Sequence, residues 1–158
     1  MSSSLKAGDL VEIKRPLYEH WGVYVGDGFI VHLASHPDVP AAVSSSVMAS
    51  SSSVWCMVKK EQLSAVAKNN PWRIANDLDG KRNPRPAHVI VQDACALVGQ
   101  TMTYKLTTSN CEHFANKLRY DMPVSLQVVT GTVGLLASIT MGLGLLATVG
   151  WMITRHSN

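Results

Sequence analysis

Cysteine is too scarce in this chain of 158 residues to build a disulfide framework. Cys56, Cys95 and Cys111 are odd in number and widely spaced. That pattern suits reduced thiols in a cytosol-facing compartment. Charge of one sign is also lacking. A net charge of +3, with no arginine-rich face and no RNA-binding signature, gives no electrostatic case for nucleic acid. The N-terminus, Met1-Ser2-Ser3-Ser4-Leu5-Lys6, has no apolar run, so no secretory signal is expected. Ser2 stands where myristoylation needs glycine. No internal repeat is visible, and the length leaves room for one modest soluble domain.

The largest absence is of charge between Val124 and Ile153, where most positions are Leu, Val, Ala, Gly, Met or Thr. Crossing a hydrocarbon core of about 30 Å takes about 20 apolar residues in a helix. A buried core helix would need more protein to cover it than this chain supplies. Residues 124–153 are therefore expected to be a transmembrane helix, with Lys117 and Arg119 before it and Arg155 and His156 after it. Only residues 154–158 follow, so insertion is expected to be post-translational, with residues 1–123 forming a cytosolic domain. Thr130, Gly134, Ser138 and Gly142 recur every four residues, a stripe that would allow weak self-association, although small residues are common in membrane helices anyway.

Within the soluble part, Leu10–Ile13, His20–Val25 and Phe29–Leu33 read as strands, and Gly26-Asp27-Gly28 reads as a hairpin turn between the last two. Residues 34–53 form a serine-rich loop with two prolines, either an inert linker or a lid. Val54–Val58 is a further strand, and residues 59–67 continue as a short helix or strand extension. From Pro86 the pattern turns helical, with Val91, Ala94, Cys95 and Val98 on one face and Gly99 just past the end. Tyr104-Lys105-Leu106 suits a short extended piece, and Asn110 to about Tyr120 a second helix. These elements predict an α+β domain in which a small antiparallel sheet is packed by helices.

Cys111 is the candidate nucleophile. Ser109-Asn110-Cys111-Glu112 has the form of a capping box, with Ser109 as N-cap and Glu112 as its partner. Cys111 then falls in the first helical turn, where the dipole favours a thiolate. It shares a face with Phe114, Ala115 and Leu118, so its thiol should point inward at the sheet. Cys56 and Cys95 read as core cysteines, and Cys111 by these criteria alone is either reactive or a third such residue.

A nucleophile needs a base that is itself oriented. His20 and His32 lie on the two strands of the hairpin, and the register decides their relation. A two-residue loop at Asp27-Gly28 puts them on opposite faces. A three-residue loop, or a bulge with the same effect, sets His32 opposite Gly22 and diagonal to His20, about 7 Å away. Gly22 would leave room there. His36 and His88 read as structural or surface residues, and His113 faces away from the thiol. A zinc site from His20, His32 and Cys111 lacks the closely paired ligands of structural zinc.

His20-Trp21-Gly22-Val23-Tyr24-Val25-Gly26, His32-Leu33 and Asn110-Cys111-Glu112-His113-Phe114 together resemble the lecithin retinol acyltransferase-like proteins, most closely their phospholipase A and acyltransferase branch. The resemblance runs from about Lys6 to the apolar C-terminal segment. It implies a circularly permuted NlpC/P60-like thiol hydrolase fold with Cys111 as nucleophile, His20 as general base, His32 as the residue orienting that base, and Tyr104 assisting near the oxyanion. It also implies phospholipase A1/A2 and acyltransferase activity without cofactor or metal. The acyl chain of a glycerophospholipid would pass through a Cys111 thioester to water, to an amine such as that of phosphatidylethanolamine, or to a lysophospholipid. The partners would be glycerophospholipids and the bilayer, with Trp21, Trp55 and Trp72 as candidate interfacial residues. A thiol amidase or peptidase of the same fold, and a non-catalytic tail-anchored adaptor, are the competing readings.

Overall fold

The computed structural model describes residues 4–38, 54–105 and 110–122. The chain separates into two units, Met1–Ser125 and Leu126–Asn158, and every described residue lies in the first. Six strands form one antiparallel sheet: β1 Leu10–Lys14, β2 Glu19–Gly26, β3 Phe29–Ser35, β4 Val54–Gln62, β5 Trp72–Ile74 and β6 Thr101–Tyr104. Their order in the sheet is β5-β1-β2-β3-β4-β6. Among the described residues the helices are α1 Leu63–Ala67, α2 Ala87–Ala96 and α3 Cys111–Tyr120. The architecture is α+β, as the sequence predicts.

The central strands are buried on both faces, which is why they are rich in branched apolar residues rather than cleanly alternating. On one face Leu10, Trp21, Val23, Val31, Leu33, Cys56 and Val58 pack with Ile90 and Ala94 of α2 and with Cys111, Phe114, Ala115 and Leu118 of α3. On the other, Val11, Ile13 and Ile30 meet Leu63, Val66 and Ala67 of α1. The catalytic candidates of β2 and β3 lie in this doubly covered centre.

The β2–β3 hairpin has the register on which the paired histidines depend. Gly22 opposes His32, Val23 opposes Val31 and Tyr24 opposes Ile30, with an irregularity between Tyr24 and Gly26. The loop itself has two residues, Asp27 and Gly28, both at positive φ (53° and 82°), as in a primed hairpin turn. Gly26, at φ 100°, pairs with Phe29, so Val25 is the extra residue of a bulge. The bulge, rather than a three-residue loop, restores the register that puts both histidines on one face.

Other expectations shift. Residues 59–67 divide: β4 runs on to Gln62, because its backbone pairs with β3 as far as Phe29, and a helix of one turn or so follows. Strand β5, three residues paired with β1, is too short to leave a periodic signal. The extended piece expected at Tyr104–Leu106 begins earlier, at Thr101, and Leu106 lies outside the described residues. The buried face of α2 is carried by Ile90 and Ala94, with Val91 and Cys95 half-buried and Val98 exposed. The helix is rotated from the expected face, and Gly8, where an added Cβ would lie 3.4 Å from Ile90 Cδ1, leaves room for Ile90 to turn inward. Among the described residues no helix is long and apolar enough to cross a membrane, and the expected span, residues 124–153, lies outside them.

Candidate active site

Helix α3 starts one residue later than the capping box in the sequence suggests. Asn110, not Ser109, is the N-cap: its Oδ1 accepts from the N–H of His113 at 2.8 Å, and its own N–H donates to His113 Nδ1 at 3.4 Å. Asn is among the best N-caps because its short side chain reaches that amide. Glu112 is thereby buried in the first turn instead of closing the box, and His113 is committed to the cap. Cys111 is the first helical residue, where the main-chain N–H groups are free of intrahelical partners.

The far end of α3 is fixed independently. Arg119 bonds both carboxylate oxygens of Asp79 (2.9 and 2.6 Å) and the carbonyl of Gly8 (2.7 Å), and the Tyr120 hydroxyl donates to Asp79 at 2.7 Å. Arg119 is therefore a buried internal tie, whereas Lys117 is exposed. A two-ended anchorage of this kind holds the Cys111 sulfur in place.

Cys111 is only 2% exposed. The thiol donates to the main-chain carbonyl of Glu19 at 3.4 Å, and the N–H of Trp21 donates to the sulfur. It thus sits against the backbone on either side of His20. Tyr104, at the end of β6 and 2% exposed, counts the Cys111 side chain among its hydrogen-bond partners. The ring of Tyr18 stands edge-on to His20, 6.5 Å between centroids, and its phenol feels the Cys111 charge. Burial raises the pKa of both phenols, so both are neutral donors.

His20 and His32 are brought together as the resemblance implies. His20 Nε2 and His32 Nδ1 are 2.9 Å apart, with the rings nearly perpendicular. His32 Nε2 in turn lies 2.9 Å from Glu61 Oε2. His20 Nδ1 is buried and has no protein partner. Burial, then His32 and Arg15, lower the pKa of His20 to about 3, so the imidazole is neutral at physiological pH. Burial likewise lowers His32 below the usual range, opposed by its bond to Glu61.

The thiol departs from expectation. Burial pushes Cys111 up to about 12, against the lowering from the Trp21 amide and the helix-start amides. A helix dipole contributes about 0.3–1 kcal/mol, whereas burying a charge moves a pKa by as much as 3–5 units, so desolvation wins. Cys111 therefore rests as a neutral thiol and His20 as a neutral imidazole, not as a thiolate and an imidazolium.

Of the remaining candidates, Cys56 is fully buried and pushed up to about 11 by burial, an inert core thiol, and Cys95 is half-buried. His36 faces Asp38 at 3.3 Å and His88 is exposed, both away from the site. Trp21 is a core residue and is excluded as an interfacial contact, while Trp55 and Trp72 are 60% and 45% exposed. Among the described residues no group of three or more His, Cys, Asp or Glu could hold a metal ion. Sequence reasoning missed Glu61 and Tyr18. Extending β4 along β3 would have found Glu61, two residues from the one opposite His32, whereas Tyr18 carries no signal beyond its nearness to His20. A groove of about 380 Å³ has Leu97, Met102, Phe114 and Leu118 on its walls and the charged Arg85, Asp93, Lys117 and Asp121 around them, and it begins one helical turn beyond Cys111.

A buried thiol at a helix start, packed on the main chain of the strand that carries an oriented neutral imidazole, with neutral phenols nearby, is an arrangement suited to thiol acyl transfer. Comparison with known proteins agrees. The family model for lecithin retinol acyltransferase matches residues 3–124. Human "Phospholipase A and acyltransferase 3" is 45% identical over 152 residues, covering 96% of this chain and 92% of that protein. Human "Phospholipase A and acyltransferase 2" is 42% identical over 153 residues (95% and 91%), and human "Phospholipase A and acyltransferase 1" 38% over 120 residues (76% and 70%). The chain belongs to the lecithin retinol acyltransferase family.

Proposed function

We propose that the chain is a membrane-anchored phospholipase A1/A2 and acyltransferase in which Cys111 carries the acyl chain. Relatives named for both activities, 40–45% identical over most of the chain, support an enzyme of this class acting on phospholipids. The observation that carries the mechanism is the burial of the Cys111 thiol against the main chain flanking His20, whose Nδ1 is unpartnered and whose Nε2 is held by His32.

The reaction then runs in two steps. The Cys111 sulfur attacks the ester carbonyl of a glycerophospholipid as its proton passes to His20 Nδ1. The free amides at the start of α3 and the neutral phenol of Tyr104 stabilise the oxyanion. Collapse breaks the C–O bond, His20 returns the proton to the departing lysophospholipid, and a thioester remains on Cys111. In the second step His20 takes a proton from water, from the amine of phosphatidylethanolamine or from a lysophospholipid hydroxyl, the acyl group leaves the sulfur for that acceptor, and His20 returns the proton to the Cys111 sulfur. The groove beside Phe114 offers apolar walls suited to an acyl chain.

Residues 124–153 would span the bilayer with the domain on the cytosolic side, raising the local concentration of lipid. The test is release of labelled fatty acid from phosphatidylcholine by the full chain, with phosphatidylethanolamine or lysophosphatidylcholine added in parallel. Labelled fatty acid, N-acyl product or newly acylated phosphatidylcholine is expected. No transfer to any of the three acceptors would refute the reading.

A further inference from the structure

We propose that Glu61 is a positioning residue that sets the tautomers of both histidines and so leaves a lone pair on His20 Nδ1. The inference rests on the reaction proposed above. Its structural basis is the β3–β4 register. His32 lies directly opposite Lys59 and Ile30 opposite Glu61, so His32, Lys59 and Glu61 share a face and Glu61 is the diagonal neighbour of His32. Its Oε2 reaches His32 Nε2 at 2.9 Å.

An ionised carboxylate only accepts hydrogen bonds, and a neutral imidazole carries one N–H. With Glu61 accepting, the His32 proton sits on Nε2 and its Nδ1 is bare. The 2.9 Å contact to His20 then needs a donor, which is His20 Nε2–H. That places the remaining lone pair of His20 on Nδ1, the buried atom without a protein partner. Three carboxylate, imidazole and imidazole groups thus form a directed chain with one allowed proton arrangement. Without the carboxylate, His32 can hold its proton on Nδ1 and donate to His20 Nε2. His20 then carries its proton on Nδ1 and cannot act as a base. Lys59 beside His32 and Arg15 and Tyr18 beside His20 are the other titratable groups around the pair; the two cations only donate, and Tyr18 stands at the His20 ring rather than at His32 Nε2.

Glu61 is 44% exposed at its side chain, so substitution should leave the fold intact. Glu61→Gln keeps an oxygen acceptor, Glu61→Ala removes it, and Glu61→Lys offers only donors. The predicted order of kcat is wild type, then Gln, then Ala, then Lys, with the Ala variant down about tenfold to a hundredfold and KM nearly unchanged. The distinguishing readout is the nitrogen spectrum of ¹⁵N-histidine-labelled full chain in detergent. His20 should show a bare Nδ1 in the wild type and a mixture of tautomers in Glu61→Ala. Full turnover in Glu61→Ala, or a loss of turnover with an unchanged His20 spectrum, would overturn the proposal. Cys111→Ser is assayed alongside: activity surviving in that variant sinks the reaction itself, while the His20 spectrum still decides the role of Glu61.

Discussion

Gly22 stands directly across the β2–β3 ladder from His32, and a Cβ built on it would lie 3.2 Å from His32 Cβ, Ile30 Cδ1 and the carbonyl oxygen of Val31. Such contacts are tight enough that a neighbour must move. The Val31 backbone is fixed in the sheet, so His32, held at both ring nitrogens, is the group that shifts. Gly22→Ala should cost about 1–3 kcal/mol of stability through overpacking and lower turnover by about tenfold to a hundredfold through the displaced relay. Urea unfolding and initial rates of acyl release measure the two. Unaltered turnover in a folded variant would show that His32 need not sit where it does.

The thiol argument predicts how Cys111 reacts with iodoacetamide. Its pKa is raised by burial to about 12, so the thiolate fraction grows with pH throughout the accessible range. Alkylation of Cys111, followed by peptide mass mapping to separate it from half-buried Cys95, should accelerate about tenfold per pH unit from pH 6.5 to 9. A plateau below pH 8 would instead reveal a standing thiolate–imidazolium pair.

Burial of neutral His20 has a consequence for stability. Its folded pKa of about 3 is below the unfolded value of 6.5, so between these limits the unfolded chain binds the extra proton. Stability therefore rises with pH across that window and is lost as pH falls from 6.5 toward 3. Between pH 7.5 and pH 5 the wild type should lose about 2 kcal/mol on account of His20, which His20→Asn should recover. Urea midpoints at the two pH values, read by tryptophan fluorescence, decide it; equal pH dependence in both proteins would contradict the burial.

The sequence carried the hairpin, both histidines and the cysteine helix, because each is encoded locally by turn residues, β-branched runs and helical spacing. It left the register open between two loop lengths, and the structure resolves it by a bulge at Val25 that no turn rule singles out. Ser109 and Asn110 both qualify as N-caps by residue type, and only the bond from His113 N–H to Asn110 Oδ1 separates them. The thiol pKa lies above what the sequence predicts because the first-turn position is visible in sequence and the depth of burial is not. Glu61 was invisible for a related reason: its role depends on how far β4 runs along β3, a long-range pairing that the charged run Lys59-Lys60-Glu61 does not advertise.

The central claim, that Cys111 carries the acyl group, is tested most directly by trapping the intermediate. The full chain is mixed briefly with phosphatidylcholine, quenched in acid and measured by intact mass and peptide mapping. A hydroxylamine-labile acyl adduct confined to Cys111, absent from Cys111→Ser along with all fatty acid release, is the expected result. Fatty acid release from Cys111→Ser at the wild-type rate, or an adduct on another residue, would contradict the account.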